Sequence, residues 1–263
     1  LRNEKSHVRC VVFCIETRSD CSRKVHIDEI LRLGGTRVEL GVQSIYDDVL
    51  NKVKRGNSNA DNILASQMLR DSFLKIGYHM MLGLPGSTRE MDADMFTTIF
   101  SDERYKPDAL KIYPCMVFKG TELYEDWKNG TFSPIAAAEA AELIVEIKQS
   151  IPVYCRVMRI QRDIPTYMVE AGVEKTNLRQ YVHELMKKKD ITCRCIRCRE
   201  PKHHEVDWDH VKLSRMNYEA SHGHEVFLSV DDVKHDLLLG FARLRIPYQP
   251  YRPEITPQSA GIR

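Results

Sequence analysis

Three short stretches carry residues able to meet one ligand together. "IETRSD" sets Glu16, Arg18 and Asp20 after an apolar run, "LGVQS" ends on Gly41, Gln43 and Ser44, and "GLPGS" offers Gly83, Pro85 and Gly86. Glu16 accepts hydrogen bonds from hydroxyl or ammonium groups, and Gln43 both donates and accepts. Arg55, twelve residues beyond Gln43, suits a carboxylate. Glycines at two adjacent strand exits let backbone approach a ligand closely, and Gly86 with Ser87 presents free amides at a helix start. The set fits a molecule with a ribose and an amino-acid moiety. Taken singly, each residue is equally explained by turn closure or helix capping. The functional reading rests on convergence, since Glu16, Gln43, Arg55 and the "GLPG" turn share one rim if their strands are neighbours.

A second constellation lies near the far end. Cys193, Cys195 and Cys198 have C-x-C-x2-C spacing, close enough for three thiolates to meet one tetrahedral structural zinc, with His203 or His204 as local candidates for the fourth ligand. Cys10, Cys14 and Cys21 are more widely spread, two of them inside an apolar run, and read as structural. Basic residues surround the thiol loop: Lys187, Lys188 and Lys189 before it, and Arg194, Arg197, Arg199 and Lys202 within and after it. A solvated helix end explains the lysines alone. With Arg156, Arg159 and Arg162 of "CRVMRIQRD" the group forms a candidate stripe for nucleic-acid phosphates. His79 and Tyr113, at strand positions, read as core.

The elements that must position these residues alternate. Apolar β-rich runs ("VRCVVFCIET", "TRVELGV", "YHMMLGLP", "ALKIYPCMV", "YCRVMRIQ") are separated by segments with three- and four-residue apolar spacing ("KVHIDEILRLG", "YDDVLNKVK", "NADNILASQMLRDSFLKIG", "TREMDADMFTTIF", "PIAAAEAAELIVEIKQSI"). Gly34 and Gly77 fit helix C-terminal caps, and Ser87 or Thr88 an N-terminal cap. Five strands alternating with helices predict an α/β fold, a partial (β/α) barrel of parallel strands covered on both faces, with functional residues at the strands' C-terminal ends. Residues 1–175 form this unit. Residues 176–210 supply a basic amphipathic helix and the thiol loop, and residues 211–263 begin an α+β domain with "VKLSRMNYEA" and "LLLGFARLRIP" as strands and "PYQPYRPEITPQS" as a loop.

Composition narrows the classes. The 263 residues exceed the usual single-domain size, and 39 basic against 37 acidic residues leave a formal charge of +2, so any basic patch is local. No run approaches the ~18 apolar residues of a membrane span, which makes a cytoplasmic protein without a membrane partner the expectation. Eight scattered cysteines argue for metal rather than a disulfide framework.

The run "LGGTRVELGVQSIYDDVLNKVKRG", with "IETRSD" before it and "HMMLGLPGS" after it, resembles the radical S-adenosylmethionine enzymes, most closely the archaeal branch of the Elongator catalytic subunits. The runs "LKIYPCMVFKGTELYEDWKNG", "RVMRIQRDIPTYMVEAGVEKTNLRQ" and "CRCIRCRE" extend the resemblance over essentially the whole chain. It implies a tRNA uridine acetyltransferase, or carboxymethyluridine synthase, that uses S-adenosylmethionine, a [4Fe-4S] cluster and acetyl-CoA to build a carboxymethyl group at carbon 5 of the wobble uridine. It also implies that Glu16, Gln43 and Arg55 contact the methionine and ribose parts of S-adenosylmethionine, with Gly41, Ser44, Gly83 and Pro85 beside them. tRNA becomes the expected partner of the basic stripe, together with other Elongator-type subunits. Such a cluster needs three thiolates in a tight loop, which this sequence lacks, so its ligands are expected to precede Leu1; residues 211–263 would open a GNAT-like acetyltransferase domain whose acetyl-CoA phosphate loop lies beyond them. Asn57 stands where the family usually has histidine, and Ser19 where it has proline. Two alternatives stay open: a tRNA-binding module without activity of its own, and a (β/α) barrel enzyme acting on a phosphorylated metabolite.

Overall fold

The computed structural model describes residues 3–174, 177–256 and 258–263. Five strands, β1 (Cys14–Thr17), β2 (Arg37–Gln43), β3 (Lys75–Leu82), β4 (Ala109–Pro114) and β5 (Arg156–Ile160), pair in sequence order into one parallel sheet. Helices α1 (Lys24–Arg32), α2 (Asp47–Lys52), α3 (Asn59–Asp71), α4 (Arg89–Ser101), α5 (Glu122–Lys128) and α6 (Ala137–Ser150) fill the crossovers, and α7 (Leu178–Lys188) follows β5. The sheet is open at β1 and β5, as a partial (β/α) barrel requires.

The two faces differ, and the side-chain period of two explains how. Val38, Leu40 and Val42, then Ile76, Tyr78, Met80 and Leu82, then Leu110 and Ile112 are fully buried under the helices. The alternate residues, Glu39, Gly77, His79, Lys111 and Tyr113, make the other face polar. The expectation of two apolar faces is therefore corrected: the alternation in "VELG" and "LKIY" marks one packed face and one lined with charge.

Caps set the helix limits. Ser58 and Asp61 form a reciprocal capping box at α3, Ser58 Oγ accepting from the Asp61 amide at 3.2 Å and Asp61 Oδ2 from the Ser58 amide at 2.8 Å. Thr88 rather than Ser87 caps α4 through the Met91 amide at 3.2 Å. Gly34, at φ +86°, closes α1 as expected. Gly77 does not close α3. That helix ends at Asp71, Phe73 turns the chain at φ +59°, and Gly77 lies within β3 opposite Glu39. A side chain there would press on Glu39, since a Cβ would sit 3.1 Å from Glu39 Cγ. The first strand is also shorter than its apolar run, with Val8, Val11, Val12 and Phe13 exposed ahead of it.

A second, antiparallel sheet of β6 (Val211–Ala220), β7 (Gly223–Asp232), β8 (Leu237–Ile246) and β9 (Gly261–Ile262) packs against the first. Tyr218 stacks on Tyr154 with centroids 4.2 Å apart, and Cys195, Ile196, Ala220 and Phe227 share one apolar core with Ile76 and Leu110. The boundary expected at residues 175 and 176 falls outside the described residues. The sheets are joined by buried charge: Arg245 reaches Asp71 at 2.6 Å and Glu225 at 3.2 Å, Arg70 reaches Glu225 at 3.4 Å, and Arg263 holds Asp108 through both nitrogens at 2.7 and 2.8 Å and Glu225 at 2.9 Å. Removing one member strands its partners in low dielectric. Glu225→Ala, which leaves Arg70, Arg245 and Arg263 short of a carboxylate, is expected to cost about 3–5 kcal/mol in urea unfolding.

Candidate functional site

The C-terminal end of β2 is bent into an uncommon shape. The Ser44 amide donates to Val42 O at 2.8 Å across Gln43, which sits at φ +64°, the geometry of a tight three-residue turn that non-glycine residues rarely adopt. The Gln43 side chain is buried, yet its Oε1 has no hydrogen-bond partner. Beside it, Arg55 is half-buried and donates from Nη2 to Gly41 O at 3.0 Å, while its Nε is unpartnered. Burial lowers the Arg55 pKa, and the nearby guanidiniums of Arg18 and Arg162 lower it further. A side chain at Gly41 would displace the Arg55 guanidinium from this position, because a Cβ would stand 2.2 Å from Arg55 Nη2. Glu16, Gly41, Gln43, Ser44 and Arg55 thus lie along the ends of β1 and β2, with orphaned polar atoms on two of them.

The "GLPG" turn has a more structural character. The Gly83 amide donates to the buried carboxylate of Asp92 at 2.6 Å, Ser87 Oγ donates to the same group at 2.5 Å, and a Cβ on Gly83 would meet Ile135 at 3.1 Å. Gly83 and the half-buried Pro85 therefore shape the exit of β3, and the Ser87 amide expected to be free is spent on Leu84 O at 2.9 Å.

The polar face behind the rim carries residues the sequence analysis passed over. Glu39 is 3% exposed. His79 Nε2 donates to its Oε2 at 2.7 Å, the tautomer a carboxylate acceptor demands, and Arg37 Nη2 lies 3.0 Å from Oε1. The Lys111 ammonium contacts Glu39 and also donates to Glu16 Oε1 at 2.5 Å. Burial alone would push the Glu39 pKa up, but the hydrogen bonds from His79 and Lys111, with the charges of Arg37 and Lys111, hold it at about 2. His79 and Tyr113 are buried as expected, but among charges rather than in the apolar core. Tyr113 meets His79 edge-on at 5.8 Å, and the Arg162 guanidinium lies 5.4 Å from its ring centroid. A lone charge at alternate positions of otherwise apolar strands was the signal that could have found Glu39 and Lys111.

Ser19 and Asn57, the positions at which the resemblance expects proline and histidine, share one acceptor. Ser19 Oγ donates to Asn62 Oδ1 at 2.5 Å, and Asn57 Nδ2 donates to the same oxygen at 3.1 Å.

The thiol loop lies at the other end of the sheet. The Ile196 amide donates to Cys155 O at 3.0 Å, immediately before β5 begins. The sulfurs of Cys193, Cys195 and Cys198 lie within 4.8 Å of one another, and fully buried Lys148 donates to Cys198 Sγ at 3.5 Å. His203 and His204 line the same cavity as Cys193 and Cys198.

The basic residues divide. Arg156 pairs with Glu200, Lys189 with Glu142, Arg159 with Asp163 at 2.8 Å, and Arg194 with Asp236 at 2.8 Å. Arg199 is corrected as a phosphate ligand: it is 4% exposed, paired with Asp231 at 2.5 Å and Asp236 at 3.0 Å, and so faces inward. Lys187, Lys188, Lys202 and Arg162 are exposed, and Arg197 is half-exposed. No helix of the described residues is long and apolar enough to cross a membrane.

Comparison with known proteins gives consistent matches. The radical SAM superfamily profile matches residues 1–99, and the radical SAM C-terminal domain profile residues 107–188. The tRNA uridine(34) acetyltransferase of Methanocaldococcus infernus is 51% identical over 267 residues, covering 99% of this chain and 50% of that protein. Elongator complex protein 3 of Schizosaccharomyces pombe is 40% identical, covering 99% and 49%, and that of Homo sapiens is 40% identical, covering 92% and 45%. A solved structure, the archaeal Methanocaldococcus infernus Elp3 with N-terminus deletion (1-46), matches with a TM-score of 0.95 at 51% identity, covering 98% of this chain and 62% of that one. The chain spans about half the length of these protein relatives.

Glu39 gives an acid signature. Its folded pKa lies below the unfolded value near 4.5, so its stabilisation is complete above 4.5 and is lost as pH falls toward 2. Melting temperatures of wild type and Glu39→Gln should differ at neutral pH and converge as pH falls through that window.

Proposed function

Because the chain belongs to the radical SAM superfamily, among relatives named tRNA uridine(34) acetyltransferase and Elongator complex protein 3, we propose that it carries the nucleoside-cofactor part of a tRNA-modifying radical enzyme. The finer reading is formation of a carboxymethyl group at carbon 5 of the wobble uridine from an acetyl unit supplied by acetyl-CoA. The observation that carries the cofactor assignment is the strained turn at Gln43, with its buried, unpartnered Oε1 beside the unpartnered Arg55 Nε and the bare Gly41. Strain and unsatisfied polar atoms are costly, and they are retained where a ligand completes them.

S-adenosylmethionine, when bound, supplies the adenosyl group that starts hydrogen abstraction. The chain's own residues do the holding. Gln43 Oε1 accepts and its amide donates, Arg55 pairs with the amino-acid carboxylate, and Glu16 takes hydroxyl or ammonium groups. His79, Tyr113 and Arg162 wall the polar face and limit water around the reacting groups. The superfamily also implies a [4Fe-4S] cluster, which the described thiols do not fit: Cys10 and Cys14 are exposed and not gathered with Cys21, and the clustered trio sits at the opposite end of the sheet. No step through the cluster is assigned to them. For the trio, structural zinc is the favoured occupant. Three sulfurs converge, His203 or His204 is at hand for the fourth position, and buried Lys148 offsets the negative charge of a thiolate site.

tRNA is the proposed substrate, with Lys187, Lys188, Arg197 and Lys202 as phosphate ligands around the thiol loop and Arg162 at the rim. Arg156, Arg159, Lys189 and Arg194 would join after exchanging their present carboxylate partners. Elongator-type subunits are further proposed partners, residues 211–263 the proposed start of an acetyltransferase domain, and the cytoplasm the proposed site of action.

Two measurements test this reading. Calorimetric titration with S-adenosylmethionine should show binding that Gln43→Ala and Arg55→Ala each weaken by about 10- to 100-fold, the loss of a hydrogen bond to a charged group. No binding by the wild-type protein overturns the assignment. In filter binding, tRNA affinity should fall with salt, and Arg197→Ala should reduce the slope of log K against log salt by about 1.

A further inference from the structure

Glu16 stands on a four-residue edge strand with its side chain 60% exposed, a setting in which a carboxylate ordinarily wanders. Here Lys111 reaches across from β4 and binds its Oε1 at 2.5 Å, which restrains it. Lys111 is itself only 11% exposed and is fixed from below by Glu39, which is clamped by His79 and Arg37 and rests against the bare backbone of Gly77. Glu16, Glu39 and His79 bring their ligand atoms within 4.8 Å of one another, a spacing suited to a divalent cation, but the Lys111 ammonium already pairs with both carboxylates. The cluster is thus a scaffold that ends in a single carboxylate oxygen, Glu16 Oε2.

We propose that Lys111 is a positioning and selectivity residue: it aims Glu16 into the ligand site and balances its charge, so that Glu16 receives the neutral 2′- and 3′-hydroxyls of a ribose and rejects a cationic group. The inference rests on the nucleoside-cofactor reading above and sharpens it. A ligand ammonium at Glu16 would lie close to the Lys111 ammonium, and like charges at such separation repel. Hydroxyls carry no such penalty and donate well to an ionised acceptor. The methionine end of the ligand is accordingly left to Arg55 and Gln43.

The test uses the full chain, with adenosine and 2′,3′-dideoxyadenosine as calorimetric probes. Wild type should prefer adenosine by about tenfold or more, the worth of hydrogen bonds to a charged acceptor. Lys111→Gln and Glu16→Gln should each cut that preference to about threefold or less, chiefly by weakening adenosine. Lys111→Arg should restore most of it, and the Lys111→Gln/Glu16→Gln double variant should match either single variant, since both act on one contact. A general structural defect would instead weaken both probes alike. If Lys111→Gln does not fold, Glu39→Gln/Lys111→Met removes the buried pair together and is expected to give the same loss of preference. Retained preference in a folded Lys111 variant, equal weakening of both probes, or additive losses in the double variant would overturn the role of Lys111 while leaving the nucleoside site standing. Wild type that binds adenosine without preferring it also overturns Lys111 alone. Wild type that binds neither adenosine nor S-adenosylmethionine sinks both proposals.

Discussion

Asp108 is the point on which the two sheets are hung. Lying just ahead of β4, it accepts the Ile76 amide at 2.8 Å and so fixes β3 against β4, while Arg263 grips the same carboxylate from the second sheet's side. Burial would push its pKa up, but the charges of Arg263, Arg243 and Arg70 outweigh that and hold it well below the usual carboxylate range. One ionised group therefore sets a strand register and a sheet-sheet contact together. The register has a direct consequence on the polar face, because it is what brings His79 level with Lys111. A slip of β4 by one residue would turn Lys111 toward the helices and set an apolar side chain beside His79.

The parallel sheet consequently works as two surfaces with different solvents. Beneath the helices, apolar side chains supply the cohesion. On the opposite face, each charge has a named partner: Glu39 is held by three groups, Lys111 spans two carboxylates, and Arg162 lies over Tyr113. At the rim the buried Oε1 of Gln43 and Nε of Arg55 have no partner, as is also true of Arg37 Nε on the charged face. Cohesion and charge pairing are thereby assigned to opposite faces of one sheet, and Glu16 stands where the paired face meets the rim. The thiol loop and its buried lysine lie beyond the opposite strand ends, away from the rim.

Much of this was legible in the sequence. Alternating strand and helix patterns gave the parallel sheet, and the Gln43 and Arg55 motif gave the rim, because both signals are local. What escaped depends on distant partners. Gly77 looked like a cap because it follows a helical pattern, whereas its role is set by Glu39, thirty-eight residues earlier. Arg199 looked like its basic neighbours until Asp231 and Asp236 turned it inward. Glu39 and Lys111 were hidden by treating strand charges as interruptions rather than as the opposite phase of the alternation. At Gly83 the structure adds a packing reason that the motif did not carry, since a Cβ there would crowd Ile135 at 3.1 Å.

The amide oxygen of Asn62 ties two distant residues into one buried unit. Ser19 and Asn57 come from different segments, and both donate to that oxygen inside the fold. Proline at 19 would remove one donor, and the remaining contact would have to satisfy a buried acceptor built for two. The two positions are therefore coupled through one acceptor: a substitution at either changes what the other's hydrogen bond is worth to the fold.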